Sequence, residues 1–119
     1  MELTYIEDEI FENCNFKNTP PTKGEYQYCR FVNCDFSNVD ISDFMYIECE
    51  FSGCNFSMAR LTKTTFRDTK FWDCKMLGLH FDDCNEFGLS FSFENCILHH
   101  STFYKTKIKK TIFQNSQLQ

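Results

Sequence analysis

The sequence predicts an all-β domain in which the chain winds as a parallel coil with four sides to each turn. Three observations predict it. From Phe31 to Phe81 every fifth residue is large and apolar: Phe31, Phe36, Ile41, Tyr46, Phe51, Phe56, Leu61, Phe66, Phe71, Met76 and Phe81. The residues two positions earlier are mostly small or apolar: Cys29, Cys34, Val39, Phe44, Cys49, Cys54, Ala59, Thr64, Thr69, Cys74 and Leu79. Identities also recur every 20 residues, as in Cys14, Cys34, Cys54, Cys74 and in Phe11, Phe31, Phe51, Phe71. A period of five is neither that of a helix, about 3.6, nor that of a strand, about 2. A chain that turns two residues of every five inward, without interruption, must wind around an axis, and a 20-residue recurrence makes four such units one turn.

The first residues, Met1 to Glu9, are acidic and lack the apolar core of a secretory leader. The period begins at Ile6, Phe11 and Phe16. Residues 17–25 then hold Pro20, Pro21 and Gly24, which mark a turn or loop. Phe16 and Tyr26 are ten residues apart, so this loop leaves the later units in phase with the earlier ones. The period runs on to Phe81 and meets an acid, Glu86, with Phe87 beside it. Phe91 fits the old phase, whereas Phe93, Leu98, Phe103, Ile108, Phe113 and Leu118 define a new one. Two residues are therefore inserted near 86–93, either as a local bulge or as a projecting contact loop. Residues 1–119 read as a single domain. Strands stacked about 4.8 Å apart would give about six coils and a rod near 28 Å long.

The predicted core is the inward set: Cys14, Phe16, Cys29, Phe31, Cys34, Phe36, Ile41, Cys49, Phe51, Cys54, Phe56, Leu61, Phe66, Phe71, Cys74, Met76, Phe81, Cys84, Cys96, Leu98, Phe103, Ile108 and Phe113. All eight cysteines fall two residues before a large site, the place for a small buried hydrophobe. Cysteines stacked about 4.8 Å apart with parallel side chains do not present the convergent, closer Cβ pair that a disulfide needs. Zinc needs four ligands around an open centre, where the phenyl rings are expected. No metal and no cofactor are predicted.

Catalysis finds no better support. His80, His99 and His100 fall at outward positions, and Asp82 and Asp83 are neighbours on an outer turn with no cleft implied. The glycines, four in all, are too sparse for a phosphate cradle. No apolar run approaches the roughly 18 residues that span a bilayer. The expectation is a non-enzymatic protein in the reducing cytosol, away from membranes.

The units Cys34-Asp35-Phe36-Ser37-Asn38, Cys54-Asn55-Phe56-Ser57-Met58 and Ala59-Arg60-Leu61-Thr62-Lys63 resemble the pentapeptide-repeat family, whose consensus is a small residue, Asp or Asn, Leu or Phe, and two variable residues. The resemblance covers about Ile6 to Leu118 and implies a right-handed quadrilateral β-helix. The chain departs from the pattern in using Cys where Ala is usual, and in Arg30, Glu50, Thr65 and Lys70 at the Asp/Asn site. The resemblance also implies a function: some members, plasmid-borne quinolone-resistance proteins among them, imitate duplex DNA and bind DNA gyrase or topoisomerase IV.

Net charge is −5, and it is unevenly spread. Residues 1–60 carry eleven acids and four bases, whereas 97–119 carry Lys105, Lys107, Lys109 and Lys110 and no acid. Net negative charge disfavours direct nucleic-acid binding. The leading expectation is a protein-interaction scaffold, with a DNA mimic for gyrase or topoisomerase IV as its sharper form. An adaptor with an unrelated protein partner is the alternative. The candidate partner surface is Asp35, Asp40, Asp43, Glu48 and Glu50, where bases are fewest. The column Asn15, Asp35, Asn55, Lys75 and the column Pro20, Asp40, Arg60, His80 are both mixed in charge. A last coil without a visible cap would leave unpaired backbone groups, so a homodimer through a coil end is the expected assembly.

Overall fold

A computed structural model describes residues 4–103, 112–114 and 116. Every strand is short because each wall of the coil holds a single five-residue unit. In chain order they are β1 (Thr4–Glu7), β2 (Ile10–Glu12), β3 (Gly24–Gln27), β4 (Arg30–Val32), β5 (Met45–Ile47), β6 (Glu50–Ser52), β7 (Thr65–Arg67), β8 (Thr69–Trp72), β9 (Phe91–Glu94) and β10 (Ile112–Gln114). The helical content among the described residues is one 3-10 turn, Phe81–Asp83. None of these elements is a helix long and apolar enough to cross a membrane.

The strands form two parallel ladders, β1-β3-β5-β7 and β2-β4-β6-β8-β9-β10. Two further walls have no named strands. One is joined by the bridges Asn15–Asp35, Asp35–Asn55, Asn55–Lys75 and Lys75–Ile97; the other by Asp40–Arg60 and His80–Thr102. The fold is thus an all-β, four-walled parallel solenoid. Its longer ladder has six strands, hence five steps, and the structure makes about five turns rather than about six. Six stacked strands are separated by five steps, and the two residues inserted before β9 lengthen the path without adding one.

Register shows where the repeat holds and where it slips. Thr4 pairs with Gly24, Phe11 with Phe31, Phe31 with Phe51 and Phe51 with Phe71, each 20 apart. Phe71 pairs with Phe93, 22 apart, and Phe93 with Phe113, 20 apart again. The two extra residues are absorbed after Asn85, whose N–H still bonds Thr64 O at 2.9 Å. Phe87 is 75% exposed there.

Each corner is made by a residue with positive φ, two places after the large inward residue. Asn33 (52°), Asn38 (60°), Asp43 (66°), Glu48 (50°), Gly53 (64°), Met58 (60°), Lys63 (58°), Asp68 (51°), Asp73 (52°) and Gly78 (65°) form an unbroken series. Such a φ is uncommon outside glycine and is best tolerated by Asn and Asp. On the two bridge walls the corner closes a four-residue turn: Val39 N–H donates to Phe36 O (3.0 Å), Phe44 to Ile41 (3.2 Å), Ala59 to Phe56 (3.0 Å) and Thr64 to Leu61 (3.0 Å). The positive φ sits third in each turn, where a type II turn requires it.

The interior is filled by columns of rings. Along the axis they stack: Phe11–Phe31 4.7 Å, Phe31–Phe51 4.7 Å, Phe51–Phe71 5.1 Å and Phe71–Phe93 5.2 Å between centroids. On the next wall Phe16–Phe36 and Phe36–Phe56 lie 4.8 and 4.5 Å apart. Between columns the contacts are edge-to-face, as for Tyr46–Phe51 at 5.1 Å and 76°. The ladder spacing, about 4.8 Å, is close to the ideal offset-stacking distance, so one repeat satisfies backbone and rings together.

Every predicted core residue from Cys29 to Leu98 is buried, whereas Cys14, Phe16 and Phe103 are only half-buried. Cys14 and Phe16 belong to the first turn, which has no coil beneath it among the described residues. Ile108 lies outside the described residues, and Phe113 is placed by its backbone pairing with Phe93.

The small inward position does more than save space. Its side chain donates to the carbonyl of the large residue one turn below. Cys34 Sγ reaches Phe11 O (3.4 Å), Cys49 Tyr26 O (3.3 Å), Cys54 Phe31 O (3.3 Å), Cys74 Phe51 O (3.4 Å) and Cys96 Phe71 O (3.4 Å). Where the residue is not Cys, a hydroxyl takes over: Thr64 to Ile41 O (2.7 Å), Thr69 to Tyr46 O (3.1 Å) and Ser101 to Met76 O (2.8 Å). Desolvation pushes the Cys49 thiol up to about 12 and raises those of Cys29 and Cys84. Thiolate, the reactive form, is thereby suppressed. In the native protein we expect thiol reagents at neutral pH to label Cys14 first and the buried cysteines slowly; all eight should react after denaturation. Rapid native labelling of most of them would place the thiols outside.

Candidate functional site

The five candidate acids lie on three walls and at two corners rather than on one patch. Asp35 belongs to the Asn15–Asp35–Asn55 wall and Asp40 to the Asp40–Arg60 wall. Asp43 and Glu48 are the corners on either side of β5, and Glu50 opens β6.

Each of the five already has an intramolecular partner. Asp35 Oδ1 accepts from Ser37 N (2.9 Å) and Oγ (2.6 Å), and Asp40 Oδ1 from Ser42 N (3.0 Å). These are local turn-forming bonds of the Asx kind. The hydrogen bonds from Ser37 and Ser42 hold both carboxyls below the usual carboxylate value. Asp43 pairs with Lys23 at 3.8 Å and Glu50 with Arg30 at 3.4 Å. Glu50 also stands in a column between Arg30 and Lys70. Tyr28 hydrogen-bonds Glu48, which raises the tyrosine's pKa.

The acids that do line up are at a corner the outward columns Asn15–Lys75 and Pro20–His80 do not include. Asp8, Tyr28, Glu48 and Asp68 succeed one another at 20-residue steps between the two ladders, all with positive φ and all exposed. Glu7 and Glu9 flank the lowest of them, and Glu25 lies on the adjoining wall. The corner is built by the hydrogen bonds Asp8 N–Gln27 O (3.1 Å), Tyr28 N–Ile47 O (3.1 Å) and Glu48 N–Arg67 O (2.8 Å). Its spacing is therefore set by the backbone ladder. The signal in the sequence was the frequency of Asp, Asn and Gly two places after each large residue.

The other singled-out residues fall outside this corner. His80 Nδ1 lies 3.1 Å from Thr102 Oγ1, whose hydroxyl donates to Asp82. A hydroxyl committed to a carboxylate is not one activated by a histidine base. All three residues are exposed, as are Asp83 and His100, while His99 is partly covered. Trp72 is half-buried, and its indole N–H donates to Glu94 Oε2 at 2.8 Å. Among the described residues no group of three or more His, Cys, Asp or Glu is placed to hold a metal ion. Surface grooves exist, one of about 610 Å³ lined by Asp43, Lys63, Asp82, Glu86 and Phe87 among others.

Residues 49–85 match the family model for pentapeptide repeats, in eight copies. The fold is an all-β solenoid of about five turns, and its residues 49–85 are similar to pentapeptide repeats. Among solved structures it is similar to full-length QnrB1, a plasmid-mediated fluoroquinolone resistance protein, at 14% identity and a TM-score of 0.52, with 98% of this chain and 94% of that chain covered. A trypsin-treated form of QnrB1 matches at 16% identity with a TM-score of 0.33, covering 99% and 91%. The first likeness is one of fold. No curated protein matches the sequence.

Proposed function

We propose that this protein is a non-catalytic cytoplasmic scaffold that binds a protein partner through its outer wall, with residues 1–119 acting as one domain. The observation that carries this reading is the corner Asp8–Tyr28–Glu48–Asp68, where carboxylates are held in line by the ladder over a ring-filled core. Such a corner is rigid, so binding costs little ordering of the scaffold. Eight free thiols suit a reducing compartment.

The sharper form is imitation of duplex DNA, with gyrase or topoisomerase IV as partner. It draws on the family resemblance and on the net charge of −5. The five acids Asp35, Asp40, Asp43, Glu48 and Glu50 enter this proposal unequally. Glu48 belongs to the aligned corner and Asp43 to the corner across β5, while the other three lie on separate walls. That dispersion favours the second reading, an adaptor with an unrelated protein partner that uses one corner rather than the whole circumference.

A supercoiling assay with purified gyrase tests the sharper form. Wild type should inhibit supercoiling, or protect it against a quinolone, at micromolar concentration. The triple variant Asp8→Lys, Glu48→Lys, Asp68→Lys should be weaker by at least about tenfold. It should still fold, because Lys63 already occupies an equivalent corner at φ 58°. Absence of any wild-type effect removes gyrase and leaves the adaptor reading.

A further inference from the structure

Exposed aromatic rings gather on one wall of the coil. Among the described residues the large hydrophobic side chains left exposed are Tyr5, Ile10, Tyr28, Met58 and Phe87. The three aromatic ones share the β1-β3-β5-β7 wall. Tyr5 lies in β1, Tyr28 is the corner after β3, and Phe87 stands in the loop above β7. That loop is placed by Asn85 N–Thr64 O (2.9 Å) and Ser90 N–Phe66 O (2.9 Å), which bracket Phe87 over the end of the wall. Single exposed hydrophobes are ordinary on a protein surface, but three rings on one wall are a patch.

Each ring is fixed, and each has a carboxylate beside it. Tyr5 Oη donates to Gln27 Oε1 (2.8 Å), and Gln27 Nε2 donates to Glu25 Oε2 (2.7 Å), so ring, amide and acid form one chain. Tyr28 hydrogen-bonds Glu48 and also has Glu7 and Tyr5 near it. The Phe87 N–H donates to Asn85 Oδ1 (3.1 Å), while Asn85 Nδ2 donates to Thr65 Oγ1 (3.1 Å) on the wall below. Gly88, at φ 68°, lets the loop press onto Arg67, since a Cβ there would stand 2.6 Å from its Nε. The groove beside Phe87 holds Lys63 against Asp43, Asp82 and Glu86, and so is net negative. Elsewhere on this wall Lys23 is paired with Asp43 at 3.8 Å.

We infer that this wall takes an arginine-rich segment of a partner protein, each guanidinium stacked on an exposed ring and forked onto the carboxylate beside it. The inference rests on the proposed reading that the outer wall binds a protein, and it names the chemistry of that partner. Charge complementarity selects a basic partner, because the carboxylates of Glu7, Glu25, Glu48 and Glu86 stand around the rings. The rings select arginine. A guanidinium is planar and weakly hydrated, so it stacks on an aromatic face while its N–H groups still reach a carboxylate. A lysine ammonium is a compact, strongly hydrated charge and satisfies only the acid. Nucleic acid also offers flat groups to stack, but its phosphates would be repelled by the same carboxylates. Tyr5, Tyr28 and Phe87 thus set the specificity, and the acids supply the attraction.

Fluorescence anisotropy tests this with two labelled probes of equal length and charge, an Arg-Gly repeat peptide and a Lys-Gly repeat peptide. Wild type should bind the arginine peptide at least about tenfold more tightly, the effect of adding cation–π contacts to a shared charge attraction. The variant Tyr5→Thr, Tyr28→Asn, Phe87→Ser keeps every acid. Threonine suits a strand, and asparagine suits the φ of 55° at Tyr28. It should lose that preference and bind both peptides as wild type binds the lysine one, which also shows that it is folded. Met58→Asn, an exposed hydrophobe at another corner, should keep the preference in full. Equal binding of the two peptides by wild type overturns the inference without any variant, and leaves the scaffold reading standing. Binding of neither peptide overturns it too, as does a triple variant that still prefers arginine. A wild type that prefers arginine yet has no effect on gyrase supercoiling upholds the inference and removes only gyrase as the partner.

Discussion

Phe51→Ala should lower the unfolding free energy by about 3–5 kcal/mol, the range for removing a buried aromatic ring. Phe51 is fully buried at the middle of its column, stacked on Phe31 at 4.7 Å and Phe71 at 5.1 Å, with Tyr46 and Phe56 edge-on at 5.1 and 5.0 Å. The void cannot collapse, because the rings above and below are held by the ladder on which their backbones lie. Such a loss is a large fraction of the roughly 5–15 kcal/mol a domain of this kind has in total. Chemical denaturation with an unchanged m-value is the measurement. Asn38→Gly is the control, since Asn38 is an exposed corner whose φ of 60° suits glycine. It should shift stability by less than about 1 kcal/mol. Equal losses for the two variants would mean that the columns of rings do not hold the stack together.

The coil was legible in the sequence because its two inward positions differ in kind from the three outward ones, and no helix or strand produces a period of five. Recurrence at 20 supplied the four walls. What the residues did not disclose has physical reasons. The corner residues are chosen for backbone conformation, not for burial, so Tyr28, Glu48, Met58 and Lys63 disguise a series that Asn33, Asn38, Asp68 and Gly53 would otherwise reveal. The 3-10 turn at Phe81–Asp83 keeps Phe81 buried and so leaves the inward pattern untouched. Ser57 reads as an outward residue, yet its hydroxyl accepts from Leu77 N at 3.3 Å, one turn up. Half-burial of Cys14 and Phe16 results from their place at the end of the stack, which a periodic pattern does not record.

The candidate site was less legible than the fold. Acids close together in sequence are spread around the coil, because five residues of chain turn one corner. Asp35 and Asp40 are thus neighbours in sequence on different walls, and Asp8, Glu48 and Asp68 are neighbours in space at distances of 20 and 40 in sequence. A charged surface on this fold has to be sought by columns. The same geometry explains why local partners neutralise so much of the acid. A column places Arg30 directly beneath Glu50, and an Asx bond commits Asp35 and Asp40 to their own turns.

Tyr46→Phe should stabilise the protein by about 1–3 kcal/mol, the desolvation cost of a buried hydroxyl without a partner. Tyr46 is fully buried among the rings of Tyr26, Phe31, Phe44, Phe51 and Phe66, and its hydroxyl has no hydrogen-bond partner. Burial raises its pKa well above the ordinary phenol value, so it stays neutral and the change removes a dipole, not a charge. Tyr26, one turn below and stacked on it at 5.3 Å, shows what is missing: its hydroxyl donates to the carbonyl of Thr22, which the 17–25 loop brings in. At the level of Tyr46 the corresponding wall is Ile41 to Phe44, a closed turn whose Ile41 carbonyl already accepts from Phe44 N and Thr64 Oγ1. Phenylalanine keeps the ring, its stacking and its volume while leaving no polar group unpaired. Tyr26→Phe should therefore behave oppositely, with a loss of about 0.5–1.5 kcal/mol for the bond to Thr22. The pair is read by thermal and denaturant midpoints of the two single variants against wild type. A destabilised Tyr46→Phe would mean that the hydroxyl has a partner inside the coil.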